Sequence, residues 1–173
     1  MLNDFDINKI LDGLKIAPGM TAADFGTGSG RWAMKLSRRM PKGIVYAVDI
    51  QESYLSALEG KAKQEYLSNI RFLKRDLTAS KGSGLPDNSI DIIILANILF
   101  QSENQENVLK EAHRILKKRG KALLIDWRDD NPIVKRQEFV SPDEVENMAE
   151  KVGFRIVKDF EPDGYHFGFI LSK

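Results

Sequence analysis

Three glycines at alternate positions, Gly26, Gly28 and Gly30, fall within the octet Ala23-Asp24-Phe25-Gly26-Thr27-Gly28-Ser29-Gly30, which joins an apolar stretch to an amphipathic one. That order reads as a strand, a tight turn and a helix. With every Cβ removed from one side, the turn can approach a ligand closely and take up positive φ. The helix that follows presents its unpaired N–H groups to whatever rests on the turn. The octet is therefore a nucleotide-type cofactor loop in an α/β chain.

The spacing bears on which cofactor. A dinucleotide fingerprint runs G-x-G-x-x-G/A, and its third glycine lets the helix pack tightly on the strand. Here the third glycine comes one residue early, and Arg31 stands where that motif has Gly or Ala. Asp24, two positions before Gly26, should face the turn, where a carboxylate repels a diphosphate but suits a sulfonium carrying an amino-acid ammonium. The loop thus favours S-adenosylmethionine over NAD. A second acid sharpens this reading. The apolar run 43–49 has the character of a buried parallel strand, and it ends in Asp49, near the roughly 20-residue offset at which an acid binds ribose hydroxyls. Both hydroxyls are donors, and one carboxylate can accept from both. A plain helix cap is the competing explanation for such an acid.

Along the chain, Ile7, Ile10, Leu11 and Leu14 share one helical face, and Pro18 and Gly19 stop that helix before a strand at 20–25. Trp32, Ala33, Leu36 and Met40 give the next helix its apolar side, with Trp32 packing it on the sheet. Leu55, Leu58, Ala62 and Tyr66 mark a third helix, and 69–74 a short strand followed by Arg75-Asp76-Leu77. A Gly/Ser-rich loop at 80–89 leads to a strongly apolar strand at 90–96. Val108, Leu109, Ala112, Ile115 and Leu116 form a helix closed by Gly120, and 121–126 is the fifth strand. Ser141, Pro142 and Glu144 make a capping box for the last helix, which Gly153 ends. Strands at 154–160 and 165–171 should pair across the turn 161–164 as an antiparallel hairpin. Alternating strands and helices predict a doubly wound, mostly parallel sheet in a single domain spanning 1–173. The chain would open with an N-terminal helix (1–16).

With 173 residues, 42% hydrophobic, the chain has enough apolar material for one core. A net charge of +1 gives no general electrostatic reason to expect nucleic acid. The basic clusters Arg38, Arg39, Lys42 and Lys117, Lys118, Arg119, Lys121 fall at predicted helix ends, where cations offset the macrodipole. The absence of cysteine excludes disulfides, thiolate metal sites and a cysteine nucleophile. No secretory signal or membrane span is visible, which makes the cytoplasm the default. Alternating apolar residues on the last strands fit an edge-to-edge dimer or a buried sheet equally well, so oligomeric state stays open.

These features together resemble the class I S-adenosylmethionine-dependent methyltransferases, especially the ubiquinone/menaquinone-biosynthesis type. The likeness is carried by the glycine turn, Asp49, Asp76, the strand into Ala96-Asn97 and a reversed last strand. It also rests on the runs Gly43-Ile44-Val45-Tyr46-Ala47-Val48-Asp49, Leu85-Pro86-Asp87-Asn88-Ser89-Ile90-Asp91 and Glu111-Ala112-His113-Arg114-Ile115-Leu116-Lys117. It covers residues 16–127 closely and the tail from Ser141 loosely. The resemblance implies a Rossmann-like seven-stranded sheet of order 3-2-1-4-5-7-6 with the last strand antiparallel. It implies that Asp24, Phe25 and the backbone of Gly26, Thr27, Gly28 and Gly30 hold the methionine part of S-adenosylmethionine. Asp49 would bind ribose, Ile50 would pack on adenine, Asp76 would accept from the adenine amino group beside Leu77, and Asn97 would lie near the transferable methyl. Leu99, Phe100 and Gln101 replace the histidine pair often found after the fourth strand. The Asn/Asp-Pro-Pro-Tyr/Phe motif of amine methyltransferases is absent.

Ligands on such sheets bind outside the carboxyl ends of the parallel strands. The reversed last strand begins at that edge, and the resemblance, which seats it beside the fifth strand, implies that Tyr165 and His166 start near where Asp126, Trp127 and Arg128 finish. His166 is the candidate base, with Trp127, Arg128 and Tyr165 lining an acceptor pocket; a histidine satisfied inside the sheet is the alternative. Residues 128–140 would form a lid, with Lys135 and Arg136 facing an acidic substrate. His113 reads as structural. The expected activity is in-line methyl transfer to a small-molecule acceptor. An RNA acceptor, a non-catalytic S-adenosylmethionine-binding domain and an NAD-dependent oxidoreductase are the other readings.

Overall fold

A computed structural model describes residues 5–128 and 139–173. The segment 129–138, with Lys135, Arg136 and most of the expected lid, lies outside the described residues. The chain runs α1 (Ile7–Asp12), β1 (Thr21–Phe25), α2 (Arg31–Arg39), β2 (Ile44–Asp49), α3 (Glu52–Gln64), β3 (Ile70–Lys74) and β4 (Ile90–Ala96). A 3₁₀ turn (Leu99–Gln101) follows, then α4 (Gln105–Ile115), β5 (Leu116–Trp127), α5 (Pro142–Val152), β6 (Arg155–Asp163) and β7 (His166–Ser172). The sheet order is β3-β2-β1-β4-β5-β7-β6, as expected. β1 to β5 pair in parallel, and β7 enters antiparallel to both β5 and β6.

Side-chain alternation along the central strands sorts the core into two layers. Ile93 and Leu95 of β4, Ala122 and Leu124 of β5, and Phe167 and Phe169 of β7 face α4 and α5. Ile92, Ile94, Leu123 and Ile125 face α1, α2 and α3 on the other side. Because both faces are covered, β4 carries four consecutive residues that are at most 2% exposed. Trp32 packs α2 into the second layer, as expected. The capping box at Ser141 also forms: the Glu144 N–H donates to Ser141 Oγ at 3.2 Å, and the Ser141 N–H to Glu144 Oε2 at 3.0 Å.

Several boundaries differ from the sequence reading: α1 ends at Asp12, with Leu14 buried beyond it, and β6 runs on to Asp163 through most of the turn expected at 161–164. Helix α4 stops at Ile115, and β5 already begins at Leu116, which pairs with Ile90 before the register shifts to Ile92 against Lys121. Gly120 is therefore a bulge residue rather than a helix stop, and a Cβ there would sit 2.9 Å from the Asp91 carbonyl oxygen. The helical period ran through Leu116 because that residue is buried in either conformation. Lys117 consequently pairs with Asp91 at 2.8 Å instead of sitting at a helix end. Tyr66 also lies beyond its helix, at φ +57° and 94% exposed. At the α2 end, the cations are paired: Arg38 with Glu65, and Arg39 with Asp12. Among the described residues, no helix is long and apolar enough to cross a membrane.

Candidate active site

The glycine turn, the end of β2 and the residues after β3 and β4 meet at the carboxyl edge of the sheet around a cleft of about 610 Å³. The three glycines do different work there. Gly28, at φ +47°, leaves room for a Cβ, which would meet the Gly26 carbonyl oxygen at 3.8 Å, and its N–H donates to Asp49 Oδ2 at 2.9 Å. Gly26, at φ +67°, is pressed against Ile98, whose Cδ1 would be 2.9 Å from a Cβ. Gly30 does not line the cleft: at φ +79° it caps α2, and a Cβ would meet Leu58 Cδ1 at 2.1 Å. Only Gly26 and Gly28 border the cleft, while Gly30 lets α3 close onto α2.

The acids divide in the same way. Asp49 lines the cleft with Oδ1 accepting from the Gln51 N–H at 2.9 Å. Each carboxylate oxygen keeps a further lone pair for a donor in the cleft. Asp76 also lines the cleft. Its Oδ1 accepts from the N–H and Oγ1 of Thr78 at 2.9 and 2.6 Å, and these bonds hold its pKa below the usual carboxylate value. Its Oδ2 makes no hydrogen bond among the described residues. Asp24 instead points inward, 1% exposed, accepting from Thr27 Oγ1 at 2.6 Å and the Ala33 N–H at 3.1 Å. Burial pushes its pKa up to about 6. It braces the turn and the first residues of α2 from behind. Phe25 and Thr27 are likewise buried and absent from the cleft wall.

Two apolar side chains on that wall lack cover: Ile50 is 60% and Tyr54 45% exposed. Leu77 completes the apolar side. Tyr54, Arg75, Ile98 and Gln101 were not picked out by the sequence. Tyr54 follows Ile50 at i+4 and so shares its side of the α3 entrance, but an exposed aromatic leaves no trace in a burial pattern.

A second cavity, about 840 Å³, opens between the 3₁₀ turn and α5. Phe100, Phe139, Val140 and Met148 supply its apolar wall, and Gln101, Ser102 and Glu103 border both spaces. Phe139 stacks on Trp127 at 6.0 Å and 10°, and Trp127 lies against His166 with ring centroids 4.0 Å apart. His166 is fully buried, with Nδ1 2.8 Å from Asp163 Oδ1. A carboxylate only accepts, so Nδ1 carries the proton and Nε2 the lone pair in the neutral ring. Among the described residues Nε2 has no partner.

The structure thus brings His166 beside Trp127, as the β5–β7 register requires, but sets both rings behind Phe139 rather than on the cavity wall. Arg128 turns to Glu161 at 2.8 Å, and Tyr165 bonds Asp163 through its N–H. Neither borders the cavity. Asn97 has a left-handed φ of +54° and a buried Oδ1 with no partner among the described residues, and it too stands off the cleft wall. His113 packs edge-on against Phe154, away from both spaces.

Residues 16–159 match the sequence profile of the methyltransferase domain. The chain belongs to that family. Among the relatives of this methyltransferase domain is a demethylmenaquinone methyltransferase of Geobacillus sp. (strain WCH70), 26% identical over 127 residues, 73% of this chain and 53% of that one. Another is a ubiquinone/menaquinone biosynthesis C-methyltransferase of Pasteurella multocida (strain Pm70), 25% identical over 95% of this chain and 63% of its own length. The chain spans about half the length of the first curated relatives it matches. A SAM-dependent methyltransferase from Aquifex aeolicus has TM-score 0.87 and 30% identity, covering 96% of this chain and 89% of its own. The [4+2]-cyclase SpnF superposes at TM-score 0.85 with 12% identity over 96% of this chain and 78% of its own, a likeness of fold alone.

Proposed function

We propose that the chain binds S-adenosylmethionine in the cleft at Gly28, Asp49 and Asp76 and transfers its methyl group to a small molecule held in the neighbouring cavity. The observation that carries this reading is the donor and acceptor set around one cleft of suitable size. A volume of about 610 Å³ lies within the usual range for small-molecule sites. Asp49 can accept from two ribose hydroxyls, Ile50 and Tyr54 offer uncovered apolar area for a base, and Asp76 keeps an oxygen for an exocyclic amine. The bare Gly28 permits close approach of the amino-acid portion, and Asp24 holds the turn in shape from behind.

The bound cofactor supplies a methyl group already activated by a sulfonium. The chain has then to align the acceptor and exclude water, which can lower the barrier by roughly 7–11 kcal/mol. Phe100, Phe139 and Met148 shape the acceptor side. We assign His166 and Asp163 to that side as well, either to take the acceptor's proton at Nε2 or to brace Trp127 beneath Phe139. Its complete burial favours the brace. The small cavity and the near-neutral charge support a small acceptor over RNA. With no apolar helix of membrane length among the described residues, the cytoplasm is our proposed location.

Titration calorimetry with S-adenosylhomocysteine, with NAD⁺ in parallel, tests the cofactor assignment. Saturable binding of S-adenosylhomocysteine alone, weakened about 10- to 100-fold by Asp49→Ala, is expected from the loss of charge-assisted bonds. NAD⁺ binding in its place overturns the reading.

A further inference from the structure

The residues that border both spaces, Gln101, Ser102 and Glu103, follow directly from the 3₁₀ turn, and two N–H groups of that turn reach one buried side chain. The Leu99 and Phe100 N–H groups both donate to Asp126 Oδ2, at 2.9 and 3.4 Å, while the Trp127 N–H donates to Oδ1 at 2.8 Å. Asp126 is 2% exposed at the end of β5. Around it the turn satisfies its own carbonyls: Gln101 Nε2 donates to Asn97 O at 2.8 Å, Ser102 Oγ to Ile98 O at 2.7 Å, and Gln105 Nε2 to Leu99 O at 3.0 Å. Those carbonyl bonds are neutral and local. The two N–H groups, by contrast, are held only by a carboxylate from another strand.

We propose that Asp126 is a positioning residue for methyl transfer, its carboxylate fixing the Leu99–Gln101 turn as the partition between the cofactor cleft and the acceptor cavity. This rests on the cofactor reading above. The turn carries Gln101 into both spaces and seats Ile98 against Gly26, so a shift of the partition changes the cleft and the cavity together.

The carboxylate must be ionised to do this. It faces donors at both oxygens, and a proton on either one sets an O–H against an N–H. Among the described residues no cation compensates it. His166 on β7 is taken by Asp163, Arg128 beyond β5 pairs with Glu161, Asp91 at the far end of β4 pairs with Lys117, and Glu103 past the turn is itself an acid. Burial accordingly pushes the Asp126 pKa up to about 7. The linkage has opposite signs for stability and for binding. A carboxyl whose folded pKa is raised contributes stability that is fully present below its unfolded value and lost as pH rises through about 7. The partition is complete only above that pH. On acidification, thermal stability should therefore rise while cofactor affinity falls, a divergence that a purely structural acid would not give.

Wild type and Asp126→Asn are titrated with S-adenosylhomocysteine from pH 8 to pH 6, with amide NMR shifts of Leu99, Phe100 and Ala33 followed in the wild type. The affinity of the wild type is expected to fall about tenfold on acidification, in step with the Leu99 and Phe100 amides and a midpoint near 7. Ala33, which reports Asp24, should follow a separate midpoint near 6. Asp126→Asn should bind about tenfold more weakly at pH 8 and show no step near 7. Wild-type affinity and pH profile in Asp126→Asn, or Leu99 and Phe100 amides that do not track the affinity, overturn the proposal. The amide data decide it even where the variant fails to fold. A wild type that binds no S-adenosylhomocysteine fails at the cofactor reading and takes this inference with it.

Discussion

The two halves of the sheet build their sites by different means. On the β1–β3 side, the cleft is backbone and short-range spacing: a glycine turn, an acid closing β2 and an acid two residues past β3. On the β4–β7 side, the cavity is made by side chains from distant parts of the chain, with Asp126 reaching the 3₁₀ turn and β7 delivering His166 to Trp127 through antiparallel pairing. The first half is suited to a ligand of fixed shape. The two meet at Gln101, Ser102 and Glu103, which border both spaces.

The contrast is tested most severely at the turn. Gly30→Val forces a branched side chain into Leu58 at a φ of +79° and should cost about 3–4 kcal/mol of stability. Gly28→Ala, whose Cβ would make only an ordinary contact with the Gly26 carbonyl oxygen, should cost only about 1–2 kcal/mol in backbone strain while reducing S-adenosylhomocysteine binding. Equal chemical-denaturation midpoints for the two variants would erase the distinction drawn between these glycines.

Whether β7 reaches the cleft is probed next by His166→Asn. Affinity for S-adenosylhomocysteine should stay within about twofold of wild type, because His166 does not border the cleft. Turnover on a proven acceptor should drop, by about 10²–10⁴ with loss of one limb of the pH profile for a proton acceptor, and with an unaltered profile for a brace. A matching loss of cofactor affinity would show the halves to be coupled through β7.

The smallest effect belongs to Ile50→Ala. Removing a side chain that is already 60% exposed should leave the unfolding midpoint nearly unchanged and weaken S-adenosylhomocysteine about three- to tenfold. Unchanged affinity would remove Ile50 from the base-binding surface.

How far the sequence could be read follows the same division. The turn, Asp49 and the closing hairpin were legible because each is a local spacing or a hydrophobic period, whereas the strand order came from the family resemblance. The start of β5 was misplaced because Leu116 is buried whether the chain is helical or extended there, so the period could not mark the change. Asp24 and Gly30 were tied to the correct turn but given a ligand-facing role. A spacing shows that a residue is needed near a turn, and not which way it points.

The sequence by itself determined the α/β class, the glycine turn and the acid at the end of β2, since glycine conformation, strand alternation and capping act within a few residues. Only the tertiary structure decided that Gly30 serves Leu58, that His166 is enclosed beside Trp127, and that Asp126 holds the partition. The Leu99–Asp126 bond spans 27 residues of chain. Contacts of that reach are set by strand order and register, which fix what meets at the sheet edge only once the whole chain has folded.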